Sequence, residues 1–165
     1  MSNIFATRFG HLPVGQLAPA DADLRATVPD DSIIAELGIV LTHVGPGAAR
    51  ATMDITARHL NQAGVAQAGA LTTLADAVAG WAAKTALDGG AEFTTLEIKA
   101  NLLRSVRAGQ TIEAIASPLH LGRSTMVLDV EVRPFDPDFS QQQPLICAFR
   151  CTQLVLASRR RDAAG

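Results

Sequence analysis

Asp76 is the only charged side chain between Arg58 and Lys84, and it stands midway along the stretch AGALTTLADAVAGWAAKTAL. A carboxylate set among Ala and Leu is costly to bury, so a partner, water or a ligand must meet it. On a helix, Thr73, Thr72, Gly69 and Gly80 fall at i−3, i−4, i−7 and i+4 and share its face. That face is cut away beside the carboxylate, which suits a ligand or a close-packed second helix. The spacing leaves two readings open: a functional carboxylate, or an Asp satisfied by backbone or a hydroxyl.

Two further features precede it. Gln67-Ala68-Gly69-Ala70 puts small residues at the helix start, where four backbone N–H groups lack intrahelical acceptors. Such an end can bind an anion or stabilise a developing oxyanion. Just upstream, Asn61-Gln62-Ala63-Gly64 offers Asn61 either to orient a ligand carbonyl or water, or as an ordinary turn residue.

These residues need a frame. Residues 1–28 contain Pro13 and Pro19 and read as a loosely structured lead-in. Pro29-Asp30-Asp31-Ser32 supplies caps for a short helix from Ile33 to Leu37. A strand over 38–44, the turn Gly45-Pro46-Gly47 and a returning strand from Ala48 to Ile55 follow. Arg58 to Gln67 is a loop. The Ala- and Leu-rich stretch from Ala68 to Leu87 favours helix and is apolar on nearly every side, so it is expected to be buried on most faces. Asp88-Gly89-Gly90 ends it. Four strands are expected after that. Thr95 to Leu103 places Leu96, Ile98, Ala100 and Leu102 on one face. Thr111 to Leu119 aligns Ile112, Ala114 and Ala116. Thr125 to Arg133 aligns Met126, Leu128, Val130 and Val132. Leu145 to Ala157 is the last, after a Pro134 to Pro144 loop. Antiparallel strands with one segregated helix make an α+β fold, the sheet wrapping around the helix.

Composition excludes several classes. The 165 residues, 48% hydrophobic, suffice for one domain. A net charge of −2, aromatic content of 4% and no Tyr argue against nucleic-acid binding. No apolar run is long enough for a membrane span or signal peptide, so a soluble cytoplasmic protein is expected. Cys147 and Cys151 fall on one face of one strand, too far apart for a disulfide, and read as buried apolar side chains. No Cys/His cluster suggests zinc, and nothing calls for a cofactor.

Taken together, LGIVLTHVGPGAARATMDIT, HLNQAGVAQAGALTTLADAVAGWAA and TLEIKANLLRSVRAGQTIEAIASPLHLGRS resemble the PaaI-like acyl-CoA thioesterases of the hotdog superfamily, from about Leu37 to Leu156. The family's Asn, the Gly three residues on, its His-Gly-Gly or His-Ala-Gly helix start and its Leu-Ala-Asp match Asn61, Gly64, Ala68-Gly69 and Leu74-Ala75-Asp76. Its later Thr, acidic residue and Asn-Phe-Leu-Arg match Thr95, Glu97 and Asn101-Leu102-Leu103-Arg104. Its His-x-Gly-Arg matches His120-Leu121-Gly122-Arg123. The resemblance implies a single hotdog domain over 29–158, about six strands around one long helix, and a basic tail over 159–165. It implies hydrolysis of an acyl-CoA thioester, with Asp76 as general base or nucleophile. The backbone N–H of Ala68, with Gly69, would polarise the carbonyl, and Asn61 would hold the carbonyl or the water. Gln67 stands where the family usually has His; it hydrogen-bonds but does not titrate.

Ala68 and Asp76 are eight residues apart, about 12 Å along a helix. An oxyanion donor and a general base must both lie within about 3 Å of one reacting centre. One helix cannot supply both, so two antiparallel helices from two subunits are expected to share each site. That requires a homodimer, alone or paired into a homotetramer. Thr73 on the Asp76 face, Gln67, Gly122 and the strand-end arginines Arg104 and Arg123 are the candidate substrate contacts, the arginines either meeting CoA phosphates or being solvated. Arg159-Arg160-Arg161 could do the same or simply solubilise the tail. His59 is near the proposed site but reads as a loop residue, and Trp81 as core or interface. A hydratase of this superfamily pairs Asp with His five residues on; position 81 is Trp, so that reading loses its acid/base partner. A non-catalytic acyl-CoA-binding module on the same fold is the alternative.

Overall fold

The computed structural model describes residues 3–87, 91–137 and 143–156; Asp88-Gly89-Gly90, part of the Pro134 to Pro144 loop and the Arg159-Arg160-Arg161 tail lie outside the described residues. Its long helix, α4 (Ala68–Ala86), is where Ala and Leu dominate the sequence. The other elements, in chain order, are α1 (Ile4–Phe9), β1 (Ala18–Pro19), α2 (Ala22–Arg25), α3 (Ile33–Glu36), β2 (Ile39–Gly45), β3 (Ala48–Asp54), β4 (Glu92–Leu102), β5 (Thr111–Leu121), β6 (Thr125–Pro134) and β7 (Cys147–Leu156). Ser32 caps α3 by accepting the Ala35 N–H at 3.2 Å.

The strands form one antiparallel sheet in the order β1-β2-β3-β5-β6-β7-β4. It has seven strands where about six are expected, the extra one being the two-residue β1. Period-2 alternation decides which side faces α4. Met126, Leu128, Val130 and Val132 are all buried, as are Ile112, Ala114 and Ala116. Ala49 and Ala51 on β3 meet the helix side of the sheet beside Ala114 and Ala116. Their small side chains let α4 approach closely through Leu74, Ala75, Val78 and Ala79, each 0% exposed. Trp81 is part of this core, and Cys147 and Cys151 are buried free thiols within it.

Three details differ from the sequence reading. The lead-in is folded rather than loose. Phe5, Phe9 and Leu24 are buried in the main core. The Asn3 side-chain amide donates to the Lys84 carbonyl at 2.7 Å, near the end of α4, where carbonyls lack intrahelical donors. Gly45 permits this docking, because a Cβ there would lie 1.8 Å from the Gln16 carbonyl oxygen. Second, β4 carries a bulge. Thr95 pairs with Gln153 and Ile98 with Cys151, so Leu96 drops out of the inward set and is 58% exposed. Third, the face of the sheet opposite α4 carries a buried ion pair, Arg50 on β3 with Glu113 on β5, the Arg50 Nε donating at 2.6 Å. Among the described residues no helix is long and apolar enough to cross a membrane.

Candidate functional site

The loop before α4 is pinned on several sides. His59 is buried; its Nδ1 accepts the Thr56 N–H at 2.9 Å, so its Nε2 carries the proton and donates to the Leu37 carbonyl at 3.0 Å. The His59 carbonyl accepts the Gln67 N–H at 2.7 Å, and the Val106 carbonyl accepts that of Ala66 at 2.8 Å. Asn61 closes the loop tip. Its Oδ1 accepts the Ala63 and Val65 N–H groups at 2.9 and 3.4 Å, and Gly64 takes a φ of 74°. The Asn61 oxygen is therefore spent on the turn, and only its Nδ2 is left to donate to a ligand.

These anchors fix where α4 begins. Gln67 is the N-cap in extended backbone, and its side chain makes no capping bond. Its carbonyl accepts from Ala70 and Leu71. The N–H groups of Ala68 and Gly69 have no acceptor among the described residues, and Gln67, Ala68 and Gly69 are all exposed. A Cβ added at Gly69 would touch nothing within 4 Å.

The stripe continues along the helix. Thr72, Thr73, Ala77 and Gly80 are half-buried, and Asp76 is exposed. The sequence expectation of a helix buried on most sides holds apart from this stripe: ten of the nineteen residues of α4 are buried, with α1 and α3 packing on it beside the sheet. The stripe is the cut-away face that Gly69, Thr72, Thr73 and Gly80 mark in the sequence. The Thr72 hydroxyl donates to the Ala68 and Gly69 carbonyls, and that of Thr73 to the Gly69 carbonyl at 2.9 Å, folding both onto the helix. Asp76 makes no hydrogen bond or ion pair among the described residues. Partial burial of its carboxyl disfavours the charged form and raises its pKa. The Cys151 thiol is pushed up to about 11, chiefly by burial, with the nearby Asp76 charge adding to it.

The other predicted contacts divide between the two ends of α4. Arg104 follows β4, close in sequence to Val106 and so to the helix start. Gly122 and Arg123 turn β5 into β6 at the other end, lining a 430 Å³ cavity with Ala86, Leu87 and Met126. Both arginines are exposed and make no ion pair among the described residues. One chain thus brings together Asn61, Gln67, Ala68, Gly69, Thr73 and Asp76 along one face, and leaves Arg123 about 28 Å of helix away from the start. No group of three or more potential metal ligands occurs among the described residues.

One buried polar residue escaped the sequence reading. Gln153 is 0% exposed, and its Oε1 accepts the Thr95 hydroxyl at 3.0 Å. The signal was readable: Cys147, Phe149 and Cys151 set an inward alternation whose next member is Gln153.

The profile of the Thioesterase superfamily matches residues 63–138. A Bacillus subtilis protein named as an esterase is 32% identical over 126 residues, covering 76% of this chain and 94% of that protein. The 1,4-dihydroxy-2-naphthoyl-CoA hydrolase of Escherichia coli is 29% identical over 127 residues, covering 77% of this chain and 88% of that enzyme. The crystal structure of thioesterase HI1161 from Haemophilus influenzae superposes with a TM-score of 0.74 at 27% identity, covering 88% of this chain and 96% of that one.

Proposed function

From the membership of this chain in the thioesterase superfamily, with its hotdog architecture, we propose that it hydrolyses an acyl-CoA thioester to the free acid and CoA at a site shared by two copies. The observation that carries the reading is the open stripe on α4, with unpaired N–H donors at Ala68 and Gly69 and an unpaired carboxylate at Asp76. Two α4 helices running antiparallel and crossing near Thr72 would set Ala68 of each opposite Asp76 of the other. The Thr72 hydroxyl, turned back onto its own helix, leaves room for that crossing. β4 supports the same pairing. It is the terminal strand, bonded to β7 alone, and Leu96, Ile98 and Leu102 on it are exposed, as is Leu103 just after. An exposed apolar edge strand is a template for pairing.

In this arrangement Asp76 takes a proton from water as the water oxygen attacks the thioester carbonyl. The carbonyl oxygen gains the electron pair and is met by the Ala68 and Gly69 N–H groups of the second copy, at the positive end of its helix. Collapse expels the CoA thiolate, which takes up the proton, and Asp76 is restored. The raised pKa makes Asp76 a stronger base. Direct attack by Asp76 would instead form a mixed anhydride, and acid quench during a single turnover with acyl-labelled substrate separates the routes by leaving label on the protein. From Asp76 to Ala86 is about 15 Å of helix, a span along which the CoA arm can run toward Gly122 and Arg123. Arg104, at the opposite end, is the second cationic contact, and Asn61 Nδ2, Gln67 and Thr73 line the approach.

The test is a screen of short, medium, long and aryl acyl-CoAs for free CoA, repeated with Asp76→Asn. Turnover in the wild type and its loss in a dimeric Asp76→Asn are expected; full activity in Asp76→Asn would overturn the role of Asp76. Binding without turnover would favour a non-catalytic acyl-CoA-binding module, the reading that the untitratable Gln67 supports.

A further inference from the structure

A fully buried amide facing the helix side of a sheet needs a reason, since an apolar residue would pack there without any hydrogen-bond requirement. Gln153 is 0% exposed, and both ends of its amide are engaged. Oε1 accepts from the Thr95 hydroxyl at 3.0 Å, and Nε2 donates to Cys151 Sγ at 3.4 Å. Thr95 reaches this position through the bulge in β4, which pairs Thr95 with Gln153 where regular register would present Leu96. Bulges are enriched next to active sites, where they re-aim a side chain.

The neighbours of Thr95 locate it along α4. Cys151, paired with Ile98, is within electrostatic reach of Asp76. One helical turn on, a Cβ at Gly80 would lie 3.7 Å from the Phe93 ring, and Phe93 pairs with Val155. Residues 93 and 98 of β4 thus bracket the stretch of α4 from Gly80 to Asp76, with Thr95 between them on the same inward side. Thr95 itself is exposed. With its one proton given to Gln153, its oxygen turns only lone pairs toward the open groove.

We propose that Gln153 is a positioning residue for the hydrolytic step: it fixes the Thr95 hydroxyl as an acceptor beside Asp76. A water has two protons. Asp76 takes one during attack, and Thr95 Oγ1 holds the other by hydrogen bond, which aims the water's lone pair at the carbonyl. This rests on the proposed role of Asp76 and deepens it.

The experiment compares Gln153→Met, Thr95→Val, their double variant and Thr95→Ser in the full-length protein. Met is near Gln in volume and needs no partner. Gln153→Met and Thr95→Val each lower kcat roughly 10- to 100-fold with KM unchanged, the double variant is no slower than Thr95→Val, and Thr95→Ser retains activity. A folded Gln153→Met with wild-type kcat, or losses that multiply in the double variant, would overturn the proposal while leaving Asp76-dependent turnover intact. If the wild type shows no turnover at all, the thioesterase reading fails. The side-chain coupling constants of Thr95, measured by NMR, then decide the positioning role: one rotamer in the wild type and averaging in Gln153→Met supports it, and identical rotamers refute it.

Discussion

Ala68→Pro removes the backbone N–H assigned to the oxyanion and changes little else. Ala68 is the first residue of α4, where proline is favoured because its missing N–H has no intrahelical acceptor. Proline also restricts the residue before it to extended backbone, and Gln67 already has φ −65° and ψ 139°. No acceptor is lost, because the Ala68 N–H bonds to nothing among the described residues. A compatible proline stabilises a fold by about 0.4–1 kcal/mol, so the melting temperature stays level or rises by a few degrees. Loss of one oxyanion donor costs about 10²–10³ in kcat, or roughly 3–4 kcal/mol of transition-state binding. The assay follows free CoA with a thiol reagent, alongside thermal unfolding and mass in solution. Ala68→Ser, which keeps the N–H, serves as the control and stays near wild type. A folded, dimeric Ala68→Pro enzyme with wild-type kcat would refute the assignment of that N–H.

Other consequences can be checked with the same material. Burial raises the pKa of Asp76, so its basic form is lost on acidification at a higher pH than for an ordinary carboxylate; kcat falls as pH drops through that raised value, and an unshifted acid limb would contradict the base role. The sign for stability is opposite: folding favours the protonated Asp76, a contribution complete below its unfolded pKa and lost as pH rises through the folded one. Asp76→Asn therefore melts no lower than wild type at neutral pH. Removing one member of the buried Arg50–Glu113 pair, as in Glu113→Gln or Arg50→Met, costs about 3–5 kcal/mol in denaturant unfolding. Arg50→Met with Glu113→Leu recovers most of it; an additive loss would show that the pair is not what each single variant breaks. Cys147 and Cys151 are buried, and the Cys151 thiol is pushed up to about 11, so neither reacts with a thiol reagent in the native protein at neutral pH. Rapid labelling before unfolding would contradict that burial.

Much of the frame was legible because alternation survives in the strands. Met126, Leu128, Val130 and Val132 predicted their own burial, and the Ala-rich run predicted α4. Leu96 was misplaced because a bulge shifts register without a local residue signature, and every side chain beyond a slip changes face. Phe5, Phe9 and Leu24 were hidden in a lead-in whose prolines read as loop, although they anchor it to the core. Arg50 and Glu113 lie 63 residues apart, so no local pattern joins them. At the site, Asp76 was visible as the one charge in an apolar run. The cut-away face of Gly69, Thr72, Thr73 and Gly80 beside it was visible too, but not what meets it, because Gly, Ala and Thr serve equally as close packing and as a vacant face. His59 shows the same limit from the other side: its place was visible in the sequence, and its work of pinning the loop to Leu37 depends on a carbonyl 22 residues away.

Mixing two inactive variants addresses the shared site most directly. Asp76→Asn lacks the base, and Ala68→Pro lacks the oxyanion donor. If each site takes Asp76 from one chain and Ala68 from the other, a heterodimer of the two contains one site with both defects and one with neither. Subunits exchanged to a statistical mixture are half heterodimer, so about a quarter of wild-type sites return. Recovery of activity toward that level, in step with heterodimer formation, is the result predicted. Subunit exchange with no recovery would contradict a site built from two chains.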